Sequence, residues 1–245
     1  MRIYVCVKQV PDTSGKVAVN PDGTLNRASM STIINPDDMS AIDQALTLKG
    51  ATGCQVIAVT MGPPPAEGML RELLAMGVDD AVLISSREFG GSDTFATSQI
   101  IAAAISHLGI GKDDMIFCGR QAIDGDTAQV DNVLVVKRML EDGYMMIQVK
   151  TPCLITCVKE KNVSNSYMTV NGIMNCYSKP LTILDFETLK EEPLIDIDII
   201  GLKGSPTNIF KSFTPPQKGT GVMFEGANRE TIADLVSRLQ KEHVI

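Results

Sequence analysis

The chain has 245 residues, 44% of them hydrophobic, with a formal net charge of -7. That length suffices for a large domain with a sizeable core, and the acidic balance excludes a surface built to neutralise nucleic-acid phosphates, which needs clustered Lys and Arg. No apolar run approaches the roughly 20 residues that span a bilayer, and MRIYVCVKQV at the start reads as a strand rather than a signal peptide, so a cytoplasmic protein without membrane insertion is expected.

Residues 2–10 predict the first strand, apolar and β-branched. In NPDDMSAIDQALTLKG (35–50), Asn35 can cap a helix, Pro36 suits its first position, and Asp37 and Asp38 complement the dipole; Met39, Ile42, Ala45 and Leu46 form one stripe. Residues 55–61 and 81–85 predict short buried strands. The helix between them spans 65–76, with Met69, Leu70, Leu73 and Leu74 on its stripe and Gly77 as its stop. A third helix starts near Ser92, Asp93 and Thr94 and runs to Gly109, followed by a strand at 114–118. The alternation βαβαβαβ means an α/β fold, doubly wound, with a mainly parallel sheet covered on both faces.

The second half changes character. Residues 133–137, 144–150 and 153–160 are strand-like, with Asp142-Gly143 as a hairpin turn, and predict an antiparallel flank. GLKGSPTNIFKSFTPPQKGTG is rich in Pro and Gly without periodicity and reads as an extended C-terminal arm. Residues 228–243 return to a helical pattern, with Ile232, Leu235, Val236 and Leu239 on one face. A nucleotide-binding domain over 1–200 and an arm with its helix over 201–245 are expected.

Six cysteines invite a metal or disulfide reading. Cys153 and Cys157 share one strand face about 13 Å apart at about 3.3 Å per residue, too far to bridge or to chelate one ion together. Cys6, Cys54, Cys118 and Cys176 sit among apolar neighbours, and the chain has only two histidines. Ordinary thiols and no metal follow. Aromatics at 4% without tryptophan exclude a stacking platform for single-stranded nucleic acid.

Four loops converge where the strands end: 6–11, 35–38, 61–65 and 119–130. Glycines and helix starts there offer backbone N–H groups to an anion, while acidic side chains in GRQAIDGDTAQV (119–130) can cap a helix or accept from ribose hydroxyls. This reads as a nucleotide clamp, a solvent turn with cap residues being the alternative. Neither a Walker A loop nor G-x-G-x-x-G follows the first strand. FGGSDT (89–94) resembles the glycine loop of ATP-pyrophosphatase ligases but follows the third strand; a glycine turn ending in an Asp or Thr cap is the favoured reading. His107 and His243 lie near helix or chain ends, and no nucleophile has a base beside it. No catalytic residue is assigned, so a bound cofactor must carry any reaction.

Taken in order, VCVKQVPDT (5–13), NPDD (35–38), VTMGPP (59–64), LAMGVDDAVLIS (74–85), FGGSDTFATS (89–98), CGRQAIDGDTAQV (118–130) and GSPTNIFKSFTPP (204–216) resemble the beta subunit of electron transfer flavoproteins over nearly the whole chain. The resemblance implies a Rossmann-like, adenine-nucleotide-hydrolase-like domain that pairs with an alpha subunit. VPDT and DGDTAQV look like the electron-bifurcating branch, in which the beta subunit binds FAD. There NADH reduces that FAD, and the electrons divide between ferredoxin and, through the alpha-subunit FAD, an acyl-CoA dehydrogenase or reductase. The alternative is a non-bifurcating subunit holding AMP as a structural nucleotide. By position the family's site falls on Cys6, Asn35, Pro36, Asp37, Asp38, Met61, Gly119, Arg120, Asp124, Gly125, Asp126, Thr127, Ala128, Gln129 and Val130, extended by Asp93, Thr94 and Thr97. SYMTVNGIMNCYSK (166–179) is similar to the family's recognition loop for the dehydrogenase, with Tyr167, Val170, Ile173 and Met174 as docking residues; the other reading is a helix packing Val170, Ile173 and Met174 inward.

One departure stands out. In relatives the DGDTAQV motif leads through Gly-Pro, a helix and a strand before LVVKR, whereas here Asp131-Asn132-Val133 follow at once. Either a segment is omitted, which the exposure of apolar surface favours, or the nucleotide is held less tightly for want of a helix N-terminus.

Overall fold

The computed structural model describes residues 1–12, 32–119, 132–140, 142–158, 166–207, 221–226 and 228–241. Its strands are β1 (Arg2–Cys6), β2 (Gln9–Pro11), β3 (Thr32–Ile34), β4 (Gln55–Met61), β5 (Asp80–Ile84), β6 (Met115–Gly119), β7 (Asn132–Leu140), β8 (Gly143–Thr151), β9 (Cys153–Cys157) and β10 (Leu181–Leu184). Its helices are α1 (Pro36–Thr52), α2 (Glu67–Met76), α3 (Thr94–His107), α4 (Val170–Asn175), α5 (Phe186–Leu189), α6 (Gly201–Gly204) and α7 (Arg229–Lys241), with a 3-10 turn at Pro64–Ala66.

Six strands form one parallel sheet in the order β10-β5-β4-β1-β6-β9. Side chains alternate across it, so each strand feeds two cores. Ile3, Val5, Val56 and Ala58 face α1 and α2, meeting Ile42, Ala45, Leu70, Leu73 and Leu74. Tyr4, Ile57, Val59, Val82 and Ile84 face the other way, onto Ile100 and Ala104 of α3 and Leu189. Burial on both faces explains why these strands read as continuous apolar runs. The edge where strands begin is pinned by charge: Arg2 meets Asp114 at 2.8 Å, and Lys49 Nζ meets the Asp79 carboxylate at 2.5 Å and the Gly77 carbonyl at 2.8 Å. Among the described residues no helix is long and apolar enough to cross a membrane.

The structure departs from the sequence reading in several places, and the arm read as extended opens with the helix α6. The run 2–10 is two strands, because after Cys6 the chain leaves the sheet and Gln9–Pro11 pairs antiparallel with Thr32–Ile34. Residues 153–157 do not join the antiparallel flank, which is the β7–β8 hairpin alone; β9 runs parallel to β6, where Ile155 and Cys157 complete the first core. The strand β10, unforeseen, extends the sheet beside β5. On α1 the buried face includes Ser40 and Asp43 beside Ile42 and Ala45. The chain after β9 returns across this helix, where Ser166 N–H donates to the Asp43 carboxylate at 2.6 Å and Gln44 reaches the Val158 carbonyl at 3.3 Å.

Candidate functional site

Strands β4, β1 and β6 are neighbours, so their ends at Met61, Cys6 and Gly119 lie on one rim with the start of α1. At its centre is Asp38, only 3% exposed. Its carboxylate accepts from the Lys8 N–H at 2.8 Å and the Gly119 N–H at 3.2 Å, and from the Asn35 side chain. Asn35 therefore does not cap α1 through its side chain, as the sequence suggested, but serves Asp38. Burial pushes the Asp38 carboxyl above its ordinary value against the pull of these donors. Gly119 is glycine because the fit is tight: a Cβ there would overlap the Asp38 carboxylate and come within 2.7 Å of the Asp37 backbone. Asp38 thus ties three elements together and organises the crevice from below, while Asp37 and Asn35 are half-buried and Pro36 is exposed at its lip.

Three thiols line the same place. Burial, then the neighbouring Cys118 and Asp38, push the Cys6 thiol up to about 12; burial and Asp38 push Cys118 to about 11; burial and Cys118 push Cys157 to about 12. None of the six cysteines forms a disulfide. These three are protonated, weakly polar wall groups rather than nucleophiles. Among the described residues no group of His, Cys, Asp and Glu could hold a metal ion.

Beyond Met61 the rim deepens into a cavity of about 570 Å³, walled by residues 61–64, 84–87 and 89–92. Its polar groups are Ser85, Ser86, Arg87 and Ser92. Sequence reading missed the wall supplied after β5, although an apolar strand running into SSREFGGS offered the signal. The glycine turn is also a docking place for the chain's own C-terminal segment. Ser92 Oγ accepts from the Gly201 N–H at 2.9 Å, and Gly91 lies against Leu202, where a Cβ would come within 2.9 Å. Asp93 caps α3, one oxygen accepting from Ala96 N–H at 3.0 Å and the other from Thr207 N–H at 3.0 Å; the Ala96 bond foremost holds its carboxyl below the usual range. Ser205, buried, accepts from Asp93 N–H at 2.8 Å and donates to the Gly201 carbonyl at 2.6 Å. FGGSDT is therefore the favoured glycine turn with an Asp cap, shaped to receive residues 201–207.

Of the sequence-predicted site residues, Cys6, Asn35, Pro36, Asp37, Asp38 and Gly119 come together at the crevice. Met61 sits where crevice and cavity join, and Asp93, exposed Thr94 and half-buried Thr97 stand behind the cavity's far wall at the start of α3. Arg120, Asp124, Gly125, Asp126, Thr127, Ala128, Gln129 and Val130 lie outside the described residues. In α4 the inward-packing alternative is not what the chain adopts. Val170 is 77% and Met174 79% exposed, with Tyr167 and Ile173 also exposed, and Thr169 caps the turn by accepting from Gly172 N–H at 2.9 Å. On α7, Ile232, Leu235 and Val236 are likewise exposed.

Residues 22–130 match the family described as electron transfer flavoprotein domain. Over the full length of both chains, the protein is 70% identical to the acryloyl-CoA reductase electron transfer subunit gamma of Anaerotignum propionicum and 46% identical to the caffeyl-CoA reductase-Etf complex subunit CarD of Acetobacterium woodii. It is 43% identical, again over both full lengths, to the electron transfer flavoprotein subunit beta of Clostridium acetobutylicum. The first alignment spans 267 positions against 245 in this chain, so that relative carries internal residues with no counterpart here.

Proposed function

Because this chain belongs to the electron transfer flavoprotein beta-subunit family, we propose that it is the nucleotide-holding subunit of an electron-bifurcating heterodimer, with FAD rather than AMP at the carboxyl end of its sheet. The observation that carries this reading is the cavity of about 570 Å³ beyond Met61. An adenosine monophosphate ends at its phosphate and is served by the crevice around Asn35, Asp37 and Gly119. A flavin dinucleotide needs further room on that side, and the cavity has the size of a cofactor site. The protonated thiols of Cys6 and Cys118 make a compact, weakly polar wall beside the crevice, and the acidic motif with Asp124, Gly125 and Asp126, next in sequence after Gly119, is proposed as the source of further contacts.

When bound, FAD supplies hydride acceptance from NADH and delivery of the electrons singly, to ferredoxin and, through the alpha-subunit FAD, to an acyl-CoA dehydrogenase or reductase. The chain's own residues bind and orient that cofactor. Two relatives bear the names of acyl-CoA reductase subunits, which favours that class of electron acceptor. The exposed stripe of α7, rather than residues 201–207, which stay on the chain's own turn at 89–93, lies on the alpha subunit, and Tyr167, Val170, Ile173 and Met174 dock the dehydrogenase.

The deciding experiment is the visible spectrum and nucleotide content of the purified heterodimer. Two flavins per heterodimer are expected. One flavin with releasable AMP would overturn the bifurcating reading in favour of a structural nucleotide.

A further inference from the structure

We infer that Arg71 and Lys179 are positioning residues for partner docking, a reciprocal clamp that holds the exposed apolar turn α4 in its docking attitude; the inference rests on the docking role proposed above. Each cation crosses to the other's segment. From α2, the Arg71 guanidinium donates to the carbonyl of Cys176 at 2.9 Å and to that of Lys179 at 3.1 Å. It is aimed by Glu67, which accepts at 3.0 Å and 3.2 Å, and lies 5.1 Å from the centroid of the Tyr177 ring. In return Lys179 Nζ donates to the Leu74 carbonyl in the last turn of α2 at 2.8 Å and to the Val78 carbonyl just beyond it at 2.7 Å. The Leu74 carbonyl, which also accepts from the Gly77 N–H at 3.3 Å, belongs to the last turn of α2, where a cation meets the helix dipole favourably.

Between the two clamps the turn lies flush on the helix. A Cβ at Gly172 would overlap the Ala75 carbonyl oxygen, so only glycine permits this approach. Ser166 N–H, bound to Asp43, fixes the near end. A six-residue helix cannot hold its own shape in water, and its exposed apolar side chains would gain by turning inward. Here they cannot: the inner face is occupied by α2, so Val170, Ile173 and Met174 stay outside as a patch of the kind that marks an interface. An interface whose anchor is already ordered loses less entropy on binding, which matters most in a brief electron-transfer encounter.

The test uses the intact heterodimer with its acyl-CoA dehydrogenase. Arg71→Met keeps the stem but removes the donors; the apparent KM for the dehydrogenase should rise about tenfold, with kcat at saturation and flavin reduction by NADH unchanged. Arg71→Lys, which keeps the charge but not the fork, should fall between. Lys179→Met supplies a second variant if Arg71→Met does not fold. Val170→Asp is the control for the docking role itself. If Val170→Asp slows transfer to the dehydrogenase while both clamp variants leave KM unchanged, the clamp is overturned and the docking role stands. If Val170→Asp has no effect, the docking role falls and the clamp with it. Should the clamp variants lower flavin reduction or heterodimer yield as much as they raise KM, their role is in folding, which also overturns the inference.

Discussion

The main-chain N–H of Gly119 donates to the buried carboxylate of Asp38 at 3.2 Å, joining the end of β6 to the first turn of α1 across 81 residues of sequence. With the Lys8 N–H on the same side chain, one carboxylate fixes the spacing of β1, β6 and α1, and hence the width of the crevice between them.

Gly119→Ala should destabilise the protein by about 1–3 kcal/mol through overpacking against backbone that cannot yield, and should lower nucleotide retention. Asp38→Asn should cost about 1–3 kcal/mol, because its amide nitrogen faces an N–H donor. Since the folded Asp38 carboxyl titrates above its unfolded value, its contribution is complete below the unfolded value and falls away as pH rises through the folded one. The deficit of Asp38→Asn should therefore be largest near the ordinary carboxylate range and shrink toward neutrality. Urea midpoints at the two pH values check this; a deficit that grew toward neutrality would refute it.

At the opposite end of the sheet the sign reverses. Burial acts to raise the Asp114 carboxyl, but N–H donors from Gly111 and Arg2 and the Arg2 guanidinium outweigh it and hold it below the usual range. Its contribution is present above the unfolded value and is lost as pH falls through the lowered one. Asp114→Asn should cost about 2 kcal/mol at neutral pH and progressively less in acid, as read by thermal midpoints across that range.

The thiols of Cys6, Cys118 and Cys157 should resist alkylation in the native protein at pH 8. With Cys118 at about 11, roughly one thiol in a thousand is ionised there, and the other two are held higher still. Mass spectrometry after iodoacetamide treatment should find these three labelled only once the chain is denatured. Rapid native labelling would contradict the burial assigned to them.

Ser205→Ala should free residues 201–207 from the turn at 89–93. The hydroxyl is buried with two partners, so the loss is about 1–3 kcal/mol. Hydrogen exchange should quicken at the amides of Asp93, Gly201 and Thr207 and stay unchanged in β1 and β4. Uniform quickening would mean general destabilisation rather than release of one contact.

Much of this was legible because local chemistry and global placement agree. The stripe Met69, Leu70, Leu73, Leu74 is fully buried, Gly77 ends α2 with φ 122°, and Asp93 caps α3 as its sequence context implied. What escaped was decided by distant chain. Asp43 looks like a solvated helix residue until the segment at Ser166 returns over it. Residues 153–157 have the same apolar content as an antiparallel strand, and only the vacant side of β6 makes them a parallel one. The four-residue β10 is too short for periodicity to reveal. For the candidate site, the crevice residues and the loop at 61–65 were readable from helix-start and strand-end signals, whereas Ser85, Ser86 and Ser92 needed the pairing of β5 with β4 to bring them beside that loop.

Because every strand of the main sheet points the same way, the molecule separates its two ends by task. The edge with Arg2, Asp114, Lys49 and Asp79 is fastened by ion pairs, and the rim with Asn35, Met61 and Gly119 lies at the sheet's opposite end. A surface tether or spectroscopic label attached near residues 110–113 would thus stand a full strand length away from the crevice around Asp38.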